Sequence, residues 1–194
     1  MAQPRSGAAR SRRRVHIGAI ALCALLISLG GSRSDGTDLL PPVSAASASA
    51  ALLDSDDLGR ALVHWNPDLS PRAIDRISSA ILRYSGKYEL DPELVAAVIF
   101  VESRARPDAR SPKGALGLMQ VMPHMLAPMH LAGNATTIES NIEAGCVILS
   151  DNIRRLGEED GILTYFWGSR IRNDGYLRRV RSAQAEFRRL ILSS

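Results

Sequence analysis

Residues 91–103 read DPELVAAVIFVES and govern how the rest of the chain is interpreted. Asp91 followed by Pro92 is typical of a helix start, because aspartate caps free amides and proline suits the first helical position. The eight apolar residues Leu94–Val101 would also suit a buried strand. The Asp-Pro-Glu start and the helical segments nearby favour a helix that is apolar on all faces. Such a helix belongs at the centre of a fold.

Similar helix signals surround this central segment. Ser70 and Pro71 predict a helix to about Tyr84, and Ser140 or Asn141 is expected to cap another that ends at Leu156. The fold class predicted is therefore all-α, a single globular domain around a central buried helix. The further helical segments expected are Leu116–Met122, Pro123–Leu131, Gly161–Trp167 and Asp174–Leu192.

The first 32 residues have the three parts of an export signal. Basic residues precede the apolar stretch Val15–Leu29, and the small residues Gly30, Gly31 and Ser32 offer a cleavage site. Spanning a bilayer needs about 20 apolar residues, so the stretch is short for that purpose. We predict a signal peptide over 1–32 and an exported protein of the periplasm or cell envelope. An uncleaved membrane anchor is the alternative, and it gives the same destination.

The net charge of +4 depends on this leader. Of the 24 basic residues, five lie in 1–32, which leaves 19 against all 20 acidic residues, a net of −1. A basic surface for nucleic acid is therefore not expected in the mature protein. Residues 33–68 are predicted to form a flexible linker and a leading helix, and 69–194 the folded domain. Loss of Cys23 with the leader leaves Cys146, interpreted as a small buried apolar residue.

Glu102 is the first candidate for chemistry. It lies one helical turn from Val98 and Ile99, so it continues the apolar stripe of the central helix. Desolvation there would raise the pKa of its carboxyl, as a group that donates a proton near neutral pH requires. The alternative is a solvent-facing carboxylate paired with a nearby arginine. Position alone does not decide between them.

The residues after Glu102 form a dense, ordered pattern. The pattern consists of Glu102-Ser103, Pro107, Ala109, Ser111, Gly114-Ala115, Gly117-Leu118-Met119-Gln120 and Pro123. It resembles the signature of soluble lytic transglycosylases, relatives of goose-type lysozymes, and the resemblance covers about residues 75–182. Asn141, Gly145, Tyr165 and Gly168 look like later parts of the same signature. The resemblance implies a lysozyme-like fold.

The family's reaction needs one carboxyl group. By resemblance, Glu102 protonates the oxygen between N-acetylmuramic acid and N-acetylglucosamine, then takes the proton of the muramyl C6 hydroxyl as a 1,6-anhydro ring closes. Ordinary glycosidases usually need two carboxyl groups within about 10 Å. Asp91 lies about 16 Å away at ~1.5 Å per helical residue, and Asp108 lies in a loop of unknown geometry. A muramidase and a non-catalytic peptidoglycan-binding protein on the same fold remain the alternatives.

The resemblance also implies a set of substrate-binding residues. Gly117 would let the backbone approach the sugar, Met119 would supply an apolar wall, and Gln120 would bind an N-acetyl group. Tyr165 would direct its hydroxyl at the catalytic carboxyl, with core packing as the alternative. The chain departs from the family where Phe166 and Trp167 replace asparagine and a small residue, which predicts a remodelled groove with Trp167 stacking on a sugar. The full predicted set is Ser103, Ser111, Gly117, Leu118, Met119, Gln120, Tyr165 and Trp167.

Peptidoglycan glycan strands are the expected partner, with no cofactor and no metal. His124 and His130 have no cysteine or acid to complete a ligand set. A role beside an envelope-spanning secretion or conjugation apparatus is compatible with export, although nothing in the sequence identifies such a partner. Seven arginines lie within 170–189, interpreted either as a solvated helix face or as a surface that attracts the carboxylates of stem peptides.

Overall fold

The computed structural model describes residues 53–126 and 135–192. The predicted signal peptide, residues 33–52 of the linker and His130 lie outside these ranges. Within them the regular structure is helical, with two isolated bridges and no strand, which confirms the all-α prediction. A short 3-10 turn covers Pro123–Met125. The helices are α1 Ser55–Trp65, α2 Pro71–Lys87, α3 Pro92–Ser103, α4 Ile138–Leu156, α5 Glu158–Trp167 and α6 Gly175–Leu192.

Helix α3 is the central helix that the sequence predicted. The Asp91 carboxylate accepts a hydrogen bond from the Glu93 amide at 2.9 Å, and Pro92 occupies the first turn. Every residue from Leu94 to Ile99 is buried, on all faces of the helix. Helix α3 ends at Arg104, whose left-handed φ of 53° redirects the chain. The alternative of a buried strand is therefore excluded.

Helices α1 and α6 pack beside α3. Trp65 of α1 stacks on Phe100 of α3 with ring centroids 4.7 Å apart, and lies 6.0 Å from the Phe187 ring of α6. At the first turn of α3, the buried Glu93 carboxylate accepts a hydrogen bond from Arg188 of α6 at 2.5 Å. The leading helix thus contributes to the same core as α3 and α6.

The start of α4 differs from the prediction. Thr137 caps this helix, because its hydroxyl accepts from the Ser140 amide while the Ser140 hydroxyl accepts from the Thr137 amide. Ser140 and Asn141 therefore lie inside the helix and do not cap it. The side-chain amide of Asn141 points toward the loop that contains Met119.

The segment Leu116–Met122 was predicted to be helical and is a tight turn. Leu116 forms antiparallel bridges with Arg110 and Val121. Gly117 and Gln120 have φ values of 71° and 48°, which a right-handed helix does not allow. The next predicted segment begins as the 3-10 turn, and its remainder falls largely outside the described residues.

Helices α4 and α5 approach each other closely at Gly161. A Cβ at position 161 would lie 2.6 Å from the Cα of Ile153, so only glycine permits this spacing. In the described ranges no helix combines the length and apolar character needed to cross a bilayer. Cys146 is a free, fully buried thiol of α4, as predicted.

Candidate active site

Glu102 lies in the last turn of α3 and faces a groove of about 740 Å³. Its side chain is half-buried, since α3 is embedded in the core and only its final turn reaches the groove. The walls come from the 111–122 segment and from the end of α5 with the loop after it. The lining residues are Glu102, Ser111, Lys113, Ala115, Gln120, Met122, Tyr165, Phe166, Trp167, Gly168, Ser169, Arg170 and Arg172.

Tyr176 is the hydrogen-bond partner of Glu102. Its hydroxyl donates to Glu102 Oε1 at 2.6 Å, and the residue is 1% exposed at the start of α6. Tyr176 was not among the residues predicted from the sequence. The available signal was the spacing of Tyr176, Val180, Ala183 and Phe187, which places them on one apolar face of a helix and turns the tyrosine inward.

Three influences set the protonation of Glu102. Burial is the largest and raises the pKa of the carboxyl above its ordinary value. The hydrogen bond from Tyr176 and the positive charge of Arg179 act in the opposite direction without cancelling burial. The net result is a carboxyl that keeps its proton to higher pH than a solvated glutamate, which is the condition for a general acid.

Tyr165 does not make the contact that the resemblance implied. Its hydroxyl donates to the backbone carbonyl of Met119 at 2.8 Å, which ties α5 to the loop below the groove. Tyr165 still lines the groove. The contact with the Glu102 carboxyl belongs instead to Tyr176, because the first turn of α6 lies beside the last turn of α3.

The aromatic residues after Tyr165 form a cluster over Tyr176. The Phe166 ring stacks on Tyr176 with centroids 4.7 Å apart and planes 14° apart, and meets Trp167 edge to face at 4.9 Å. The Arg179 guanidinium lies 5.6 Å from the Phe166 centroid and 5.5 Å from that of Tyr176. Phe166 therefore covers the phenol that contacts Glu102, at a position where the related pattern has asparagine.

Trp167 is held at the edge of the groove by two contacts. Its indole N–H donates to the Asn173 carbonyl at 3.2 Å, and the Arg172 guanidinium lies 5.5 Å from its ring centroid. The ring is partly exposed and lines the groove. This placement is compatible with the predicted stacking on a sugar.

Four predicted substrate-binding residues lie beneath the groove and not in its lining. Leu118 and Met119 are 0% exposed, and the buried Ser103 hydroxyl donates to the Leu118 carbonyl at 2.8 Å. Gly117 is also buried, and a Cβ there would lie 2.6 Å from the Asn141 amide nitrogen. These residues therefore shape the loop beneath the groove. The Ser103 hydrogen bond holds Leu118, and the missing Cβ of Gly117 makes room for Asn141.

Asn141 is a second residue whose role the sequence did not reveal. Its amide oxygen accepts from the Met119 N–H at 2.8 Å. Its amide nitrogen donates to the carbonyls of Leu116 at 2.8 Å and Ala135 at 3.0 Å. One buried side chain thus fixes the turn against α4.

Ser111 and Gln120, which were also predicted to bind substrate, line the groove. The Ser111 hydroxyl accepts from the Ala115 amide at 3.0 Å, so this serine also closes its own turn. The Gln120 amide nitrogen donates to the carbonyls of Gly117 at 2.9 Å and Ala109 at 3.2 Å. Both side chains are therefore preorganised beside Glu102.

Comparison with known proteins finds similarity to transglycosylases. A family model described as Transglycosylase SLT domain matches residues 79–180, just over half of the 194-residue chain. A protein named Transglycosylase from Enterobacteria phage PRD1 is 38% identical over 92 residues. That match covers 47% of this chain and 34% of the phage protein, so the alignment spans about a third of that relative's length.

Proposed function

Because the chain belongs to the SLT transglycosylase domain family, we propose that it is a peptidoglycan lytic transglycosylase with Glu102 as its catalytic acid and base. The substrate is the β-1,4 bond between N-acetylmuramic acid and N-acetylglucosamine. The products are a new N-acetylglucosamine 4-hydroxyl and a 1,6-anhydromuramyl end. No cofactor and no water molecule enter the reaction.

The proposed reaction balances with one carboxyl group. Protonated Glu102 gives its proton to the glycosidic oxygen as the bond from that oxygen to the muramyl C1 breaks. The carboxylate then takes the proton of the muramyl C6 hydroxyl, while the O6 atom forms a bond to C1. Glu102 ends protonated, ready for the next cycle. The Tyr176 hydrogen bond supports this sequence because it holds Oε1 in place and lowers the cost of the charged intermediate state.

The observation that carries the proposal is the number of acids in the groove. Among the described residues that line it, Glu102 is the one carboxyl group. A hydrolase of the usual kind needs a second carboxylate, about 5–5.5 Å away for retention or ~6.5–9.5 Å for inversion. An intramolecular attack by the muramyl C6 hydroxyl has no such requirement.

Export to the periplasm or cell envelope is part of the proposal. It rests on the basic and apolar pattern of residues 1–32, since peptidoglycan lies outside the cytoplasmic membrane. Measuring the mass of the protein recovered from the envelope tests whether cleavage occurs near residue 32.

The test of the reaction is mass spectrometry of muropeptides released from purified sacculi. The mature protein is compared with its Glu102→Gln variant, which keeps the shape of the side chain and cannot donate a proton. We expect products one water lighter than those of a lysozyme digest, with release abolished in the variant.

The other outcomes separate the alternatives. Reducing-end products would contradict transglycosylation and favour a muramidase. Binding of sacculi with no release by the unmodified protein would contradict enzymatic activity and favour a peptidoglycan-binding protein. Unchanged release by Glu102→Gln would remove Glu102 from the catalytic role.

A further inference from the structure

Among the seven arginines of residues 170–189, three are paired with carboxylates and two line the groove. Several on α6 have carboxylate partners. Arg178 pairs with Asp174, and Arg181 pairs with Glu158 at 2.8 Å. The Arg188 contact with Glu93 is a third pair. The Arg181 and Arg188 pairs join α6 to other helices, and the Arg178 pair lies at the start of α6 itself. These side chains do not form a free basic surface.

The second group faces the groove. Arg170 and Arg172 line it from the loop after α5, and Lys113 lines it from the 111–122 segment. All three are exposed, and in the described parts of the chain none forms an ion pair with a carboxylate. Arg172 is also oriented by its contact with Trp167. We call these three residues the cationic wall.

The cationic wall gives the groove a charge that a neutral sugar polymer does not need. The groove lining contains three positive side chains and one carboxyl group, and burial favours the uncharged form of that carboxyl. A concave surface lined by one sign of charge concentrates ligands of the opposite sign. Arginine suits carboxylates in particular, because its planar fork matches their two oxygens.

We propose that Lys113, Arg170 and Arg172 form a subsite for carboxylates carried by the muramyl residue. This inference rests on the proposed function and names the part of the substrate that the groove recognises besides the sugar backbone. The shared chemistry is a carboxylate attached through the muramyl C3 oxygen. It is supplied either by the stem peptide or, where the peptide has been removed, by the lactyl group itself.

The test measures binding of three glycans to proteins that also carry Glu102→Gln, so that nothing is cleaved. The first glycan is strands with uncrosslinked stem peptides, and the second is strands stripped by an amidase, which leaves the lactyl carboxylate. The third is an N-acetylglucosamine oligomer of matched length, which has no carboxylate. The test variant is Lys113→Gln, Arg170→Gln and Arg172→Gln together.

A matched control removes the same charge elsewhere. Arg60, Arg154 and Arg155 are exposed and lie outside the groove lining, so their joint replacement by glutamine also lowers the net charge by three. The control measures the general electrostatic attraction of the protein to an acidic polymer. The difference between the two triple variants isolates the cationic wall.

We expect the test variant to bind peptide-bearing strands about tenfold more weakly than the control variant does, with the difference shrinking at high salt. Binding of the neutral oligomer should be the same in both. An equal loss on stripped strands shows that the subsite also accepts the lactyl carboxylate that the amidase frees, and a loss confined to peptide-bearing strands assigns it to the peptide.

Equal binding of peptide-bearing strands by the two triple variants would overturn the inference. That result leaves the proposed function intact if the unmodified protein still releases anhydro products from sacculi. Failure of the unmodified protein to bind or cleave any muramyl strand would instead overturn the proposed function itself.

Discussion

At the scale of single residues, the proton of Glu102 is controlled by its burial at the end of α3 and by Tyr176. Burial favours the protonated acid, while the Tyr176 hydroxyl, at 2.6 Å, favours the carboxylate. The proposed reaction, in which Glu102 gives and then takes the same proton, needs both influences, because either one alone would slow one of the two steps. Phe166 stacks on the Tyr176 ring and so helps to hold that phenol in place.

Replacement of Tyr176 by phenylalanine tests this balance. We expect kcat/KM to fall roughly ten- to a hundredfold, since a hydrogen bond to a charged group is lost. The hydrogen bond lowers the pKa of Glu102, so its removal raises that pKa further and the acid stays protonated to higher pH. The alkaline limb of the pH profile of kcat/KM therefore moves upward.

Tyr165→Phe is the matched control. It removes a phenolic hydroxyl from the same groove, but that hydroxyl donates to the Met119 carbonyl and not to Glu102. We expect its alkaline limb to stay where the unmodified protein has it. A shift in Tyr165→Phe without one in Tyr176→Phe would reverse the assignment of the two tyrosines.

Glu102 also makes stability depend on pH. Because its pKa is raised in the folded protein, the unfolded chain loses this proton first, near pH 4.3, and stability falls as pH rises through the folded pKa. The cost is absent below the unfolded pKa and complete above the folded one. Glu102→Gln should therefore raise Tm at pH 7, because the glutamine carries no charge that burial disfavours.

Thermal denaturation of both proteins from pH 3 to pH 8 measures this effect. The gain should vanish at the acid end, where Glu102 is neutral in both states. A variant that melts below the unmodified protein at pH 7 would contradict a raised pKa for Glu102.

At the scale of helices, the position of the groove depends on how closely neighbours approach. Gly161 sets the distance between α4 and α5, and α5 carries Tyr165 and Trp167 into the groove. Contacts between α3 and α6 bring Glu102 and Tyr176 together, with the Glu93–Arg188 pair at the far end of α3. A small change in either spacing moves a groove wall.

A pair of glycine substitutions tests this dependence. Gly161→Ala puts a Cβ against the Ile153 backbone, which cannot move without separating α4 from α5, so we expect a loss of about 1–3 kcal/mol. Gly86→Ala in α2 meets nothing within 4 Å and should instead stabilise by about 0.5–1 kcal/mol. Urea denaturation midpoints give both values. The two substitutions should change the free energy of unfolding in opposite directions. Stabilisation by Gly161→Ala would show that α4 and α5 can separate freely.

At the scale of the whole molecule, α1 belongs to the core. Its residues Leu58, Leu62 and Trp65 are buried, and Trp65 contacts rings of both α3 and α6. Burial of a large apolar side chain contributes about 1.5–3 kcal/mol. Three such residues together approach the 5–15 kcal/mol by which a domain is typically stable.

Shortening the chain tests this contribution. A chain of residues 69–194, the domain expected from the sequence, should lack a cooperative thermal transition or melt far below a chain of residues 53–194. Circular dichroism at 222 nm during heating distinguishes the two. A cooperative transition at the same temperature in both chains would show that α1 is dispensable for the fold.

Local patterns in the sequence determined most of the helices and one catalytic candidate. Proline after a capping residue marked α2 and α3, and the apolar run of α3 implied burial on every face. The spacing around Glu102 pointed to its family. These features were readable because helix starts, periodicity and a compact motif each depend on neighbouring residues.

Only the tertiary structure decided which side chains meet in the groove. Tyr176 contacts Glu102 across 74 positions of sequence, and Asn141 reaches the Met119 loop across 22. The tertiary structure also buries Leu118 beneath the groove, although the motif had implied that this residue would line the groove. A helix pattern predicts that a residue points inward, but which distant residue it meets depends on how helices cross, and that is decided by packing of the whole core.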